Sequence, residues 1–116
     1  MTVGDLAARL GGAIVAADGE RDRNVRGGYA SDLLSDVIAN AREGDAWVTL
    51  QRHVNIVAVA HLKSLAAVVL VNGRQPEADT VARANEERVP IVSTSLTAFD
   101  AAGALYALGV RGSRTP

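Results

Sequence analysis

A single α/β domain, its mostly parallel sheet covered by helices on both faces, is what this sequence of 116 residues predicts. Three observations carry that expectation. Strand-like and helix-like stretches alternate along the chain, and the helical ones are long enough to cross over a sheet. The run AAVVLV (66–71) is apolar at every position, as a strand buried on both faces requires.

Thr2 can cap a first helical turn, with Asp5 three residues on, and Leu6, Ala7 and Leu10 give an apolar stripe that stops at Gly11-Gly12. Residues 13–17 then read as a strand ended by Asp18-Gly19, and 20–24 as a solvated loop leading into Val25 and the pair Gly27-Gly28. From Ser31 the spacing of Leu34, Val37, Ile38 and Ala41 predicts a helix, with Ser31 as N-cap and Gly44 just past its end. Three strand–helix cycles follow: 46–50 with 55–64, 66–71 with 77–87, and 90–94 with 98–108. The domain is expected over 1–110, and 111–116 reads as a short, frayed, basic tail.

With 12 basic against 13 acidic side chains, interspersed, no concentrated field draws nucleic acid or an anionic membrane, so neither is expected as a partner. The start MTVGDLAARLGG lacks the basic end and apolar core of a secretion signal. His61, Lys63 and Ser64 interrupt the most apolar stretch, 54–71, where a spanning helix would suffer most. Cysteine is absent, which removes thiolate chemistry and fits a cytoplasmic location. No cofactor and no metal is expected.

In open parallel sheets, ligands sit beyond the carboxyl ends of the strands. The candidate ligand-binding residues collect there: Gly27, Gly28, Ser31 and Asp32 after the second strand; Thr49, Gln51, His53 and Asn55 after the third; Asn72, Gly73 and Arg74 after the fourth; Ser93, Thr94, Ser95 and Thr97 after the fifth. Small polar residues at such places also serve as helix caps and turn formers, whether or not anything binds. Gly27-Gly28 lacks G-x-G-x-x-G spacing, and it reads as a close-packed turn between strand and helix.

Asp32 and Asp36, one helical turn apart, suit solvated acids near a helix start better than a metal pair. His53 and His61 are too far apart to share one ion. As a general base, His53 would need a substrate within hydrogen-bond reach; binding the local backbone is its more ordinary role. The helix 55–64 is apolar almost all round, and so calls for burial between layers or for a partner; a homodimer is the expectation. Trp47, Tyr29, Tyr106 and Phe99 read as core or interface anchors.

The stretch GGYASDLLSDVIANAREGDAWVTLQRHVNIVAVAHLKSLAAVVLVNGRQP, continued by VPIVSTSLTAFDAAGALYALGV, resembles the DRTGG domain family, above all its small freestanding members. GGYASD stands as a diverged counterpart of the tetrad that names the family. The resemblance implies a fold similar to the N-terminal accessory region of HPr kinase/phosphorylase. It also implies a role in regulation and subunit contact, with no catalytic residues to carry over; with the polar loops at the strand ends, the leading expectation is a non-catalytic regulatory or assembly module that binds a small phosphorylated or nucleotide-like ligand there, with a protein partner also open. Some relatives bear a kinase label, but Lys63 is the sole lysine and no G-x-x-x-x-G-K precedes it, so phosphoryl transfer is not expected. Others accompany iron-only hydrogenase genes, which gives an accessory factor in electron metabolism as an alternative. A small enzyme using His53 is another.

Overall fold

The structure, a computed structural model, describes residues 1–112; residues 113–116 lie outside the described residues, and with them most of the expected tail. The elements in chain order are α1 (Val3–Arg9), β1 (Ala13–Ala16), β2 (Gly27–Ala30), α2 (Leu34–Asn40), β3 (Asp45–Thr49), α3 (Asn55–Leu62), β4 (Ala67–Leu70), α4 (Ala78–Glu87), β5 (Ile91–Ser93) and α5 (Ala98–Ala107). The five strands form one sheet in the order β1-β5-β4-β3-β2. The last four are parallel, and β1 runs antiparallel to β5 at one edge.

Alternation along each strand sends side chains to two separate cores. Ala46, Val48, Ala67, Val69 and Val92 face α1 and α5. Trp47, Val68, Leu70 and Ile91 face α2, α3 and α4. Helices therefore cover both faces, as the apolar run 66–71 requires. Trp47 is fully buried, and its indole Nε1 donates to the Ser31 carbonyl at 2.8 Å, which ties β3 to the segment leaving β2. Thr2 and Asp5 form a reciprocal cap on α1.

Local expectations are corrected at three places. The helix after β2 begins at Leu34 rather than at Ser31, and its preceding residue Leu33 offers no capping side chain. The Ser31 hydroxyl instead accepts from the Leu33 amide at 3.2 Å, a serine turn that competes with a helical start. Phe99 and Tyr106 are not core anchors, being 87% and 61% exposed. Arg111 is not loose: its carbonyl accepts from the Gly28 amide at 3.0 Å, and its guanidinium lies 3.7 Å from the Tyr106 ring centroid while donating to the Tyr106 carbonyl.

Candidate functional site

Because β2 to β5 are parallel and in register, Ala30, Thr49, Leu70 and Ser93 end at one edge of the sheet. The loops leaving them are bonded into a single rim. Asp32 accepts from the Thr49 hydroxyl at 2.8 Å and from the Leu50 amide at 2.7 Å, and the Gln51 side-chain amide donates to the Asp32 carbonyl at 2.9 Å. Farther along, the Gly73 amide donates to the Thr94 carbonyl and the Asn72 amide to the Leu96 carbonyl, both at 2.8 Å. The Ser93 hydroxyl donates to the Arg74 carbonyl at 2.7 Å and accepts from the Gln75 side chain at 2.9 Å.

Arg52 joins the two halves. Its Nε donates to the Gln75 carbonyl at 2.6 Å, and its own carbonyl accepts from the buried Thr80 hydroxyl at 2.8 Å.

These bonds divide the expected site residues. Ser31, Asp32, Thr49, Gln51, His53, Asn55, Gly73, Ser93 and Thr94 all stand at or beside the rim. Thr49, Ser93 and Thr94 are buried and engaged, Thr94 with the Leu10 carbonyl at 2.8 Å. They hold loops in place. Arg52, His53, Asn55, Asn72, Gly73 and Arg74 are exposed on its outer side. Gly73 takes a φ of 67°, which glycine adopts without strain, and a β-carbon there would meet nothing within 4 Å.

Gly27 and Gly28 do not join the rim. They pair with Asp45 and Ala46 inside β2, at the opposite end of the sheet. At about 3.3 Å per residue, Gly28 stands roughly 7 Å short of Ala30, where β2 reaches the rim. Its missing side chain serves packing, since a β-carbon would come within 3.3 Å of the Val110 side chain.

The candidate acid and base pairs also separate. Asp32 braces Thr49, whereas Asp36 accepts from the Tyr29 hydroxyl at 2.8 Å and from Asn40 at 2.8 Å. His53 Nε2 lies 4.0 Å from Glu77, and His61 Nδ1 lies 3.5 Å from Glu87. Among the described residues no three His, Cys, Asp or Glu side chains gather as a metal site. Nor does any helix among them have the length and apolarity to cross a membrane.

Sequence reasoning missed Arg52 at the rim and a polar groove of about 510 Å³ at the far end of the sheet, where Arg23, Arg26, His61 and Arg88 line the wall. Arg23 is committed there to the Leu65 and Arg88 carbonyls and to Glu20. The helix ends that form this groove carry no glycine signal, because Ser64 and Arg88 take left-handed conformations at φ 53° and 57°.

Helices on both faces of a mostly parallel sheet, with an exposed polar rim where the strands end, define the class as a single α/β domain. The chain belongs to the DRTGG domain family, whose pattern matches residues 5–108. Among curated proteins, none matches. A similar solved structure is that of the CBS and DRTGG domains of the regulatory region of Clostridium perfringens pyrophosphatase, complexed with the activator diadenosine tetraphosphate. It aligns with a TM-score of 0.74 at 12% identity, over 90% of this chain and 45% of that one. The present chain thus spans less than half of that regulatory region.

Proposed function

We propose that this chain is a non-catalytic regulatory module that receives a small phosphorylated or nucleotide-like ligand on the outer side of the strand-end rim. One observation carries the reading: the loops after β2, β3, β4 and β5 are hydrogen-bonded into one rim, and Arg52, His53 and Arg74 in those loops are exposed. Guanidinium groups match phosphate geometry, and a preformed rim spares a ligand the cost of ordering loops. Thr49, Ser93 and Thr94 act as braces, while Arg52, His53, Asn55, Arg74 and the Gly73 amide supply contacts.

The regulatory half of the reading is supported by family membership and by a neighbour that is itself part of a regulatory region. The non-catalytic half is supported by the setting of His53. Its side chain is 68% exposed, and its ion-pairing neighbour, Glu77, is at the outer limit of such contact. A general base needs closer and drier surroundings than that.

Calorimetry and thermal-shift measurements against nucleoside mono-, di- and triphosphates, acyl phosphates and inorganic pyrophosphate test the proposal. Binding by one of these is expected, with Arg52→Ala and Arg74→Ala each weakening it about 10- to 100-fold, as loss of a charge-assisted contact does. The His53→Ala variant should show the same absence of turnover as the parent chain. No heat and no shift with any member of the panel would remove the ligand from the reading.

A further inference from the structure

Helix α3 carries more apolar surface than the core uses. Ile56, Val57, Val59 and Ala60 are buried against the sheet and neighbouring helices, yet Leu62 is 66% exposed, Ala58 is exposed and Val54 is half-buried. Val54, Ala58 and Leu62 follow one another at four-residue spacing and so share one outward stripe. That stripe forms one wall of a groove of about 520 Å³ between α3 and α4, with Val54, Val57, Ala58 and Leu62 along it. Its lip is polar and carries both signs: Arg83 lies 3.6 Å from Glu87, and His61 lies 3.5 Å from the other Glu87 oxygen.

We propose that this groove is the contact surface between two copies of the chain, related by a two-fold axis near Ala58. An isologous contact must be complementary to itself, so projection and recess have to occur on the same patch. Leu62 projects and the adjoining groove recedes. A two-fold axis seats each Leu62 in the opposite groove, and the methyl side chain of Ala58 lets the two α3 helices approach closely. The same operation sets Arg83 against the partner subunit's Glu87, exchanging two exposed intrachain pairs of small worth for pairs within a drier boundary. Of the residues given to the rim ligand only Asn55 also lines this groove, and the variants below leave it unchanged, so either idea can fail while the other stands.

Sedimentation velocity across a concentration series tests the proposal. A reversible dimer is expected. Leu62→Glu should raise its dissociation constant at least about tenfold without changing the circular dichroism spectrum, whereas Phe99→Glu, on a still more exposed apolar side chain elsewhere, should leave it unchanged. Arg83→Glu should weaken the dimer, and adding Glu87→Arg should restore it. Because the natural chain has no cysteine, oxidised Ala58→Cys protein should give a single covalent dimer. A parent chain that stays monomeric throughout, or a Leu62→Glu variant that dimerises as the parent does, would overturn the proposal.

Discussion

At Gly12 a β-carbon would stand 2.6 Å from the Ser93 carbonyl oxygen, a backbone atom with no side-chain freedom to move aside. The Gly12 amide is itself held by the Ala7 carbonyl at 2.8 Å, so the turn after α1 cannot easily retreat. Gly12→Ala should therefore destabilise the protein by about 1–3 kcal/mol, the usual range for forcing a group into packed space, as read from the urea midpoint. The strain would fall on β5, whose Ser93 hydroxyl anchors the 74–75 turn of the rim. Sequence pattern identified Gly11-Gly12 as a helix stop, which is a local property. It could not reveal the contact with Ser93, because that depends on a strand some eighty residues away.

Among the helices, α1 shows how a terminal cap couples stability to acidity. The Asp5 carboxylate accepts from the Thr2 amide at 3.0 Å, while the Thr2 hydroxyl accepts from the Asp5 amide at 3.1 Å. The Thr2 backbone hydrogen bond, aided by the Thr2 side chain, holds the Asp5 pKa below its ordinary value of 3.8. A carboxyl group whose pKa is lowered by folding contributes stability above the unfolded-state value and loses it as pH falls through the folded-state value. Melting temperatures followed from neutrality down to about pH 2 should show a smaller acid-side decline in Asp5→Asn than in the parent. At neutral pH, Thr2→Ala should cost about 1 kcal/mol. This cap was legible because both partners lie within one turn. The start of α2 was not, because the Ser31 hydroxyl turns to the Leu33 amide while its carbonyl is taken by the Trp47 indole across the sheet.

For the molecule as a whole, the alternation of strand and helix revealed the sheet, and the apolar run 66–71 revealed that both its faces are covered. The rim was legible for the same reason: parallel strands send successive loops to one edge. The end of the sheet occupied by Gly27-Gly28 was hidden, since it is set by pairing with Asp45 and Ala46 rather than by neighbouring sequence. The role of Arg111 was hidden likewise. That residue shields part of the sheet's outermost strand, where backbone groups would otherwise be open to another chain. Shortening the protein to end at Val110 would bare the Gly28 amide, and the truncated form should lose amide-exchange protection there and precipitate on storage sooner than the full chain. A fusion partner joined directly at that point would risk the same exposure.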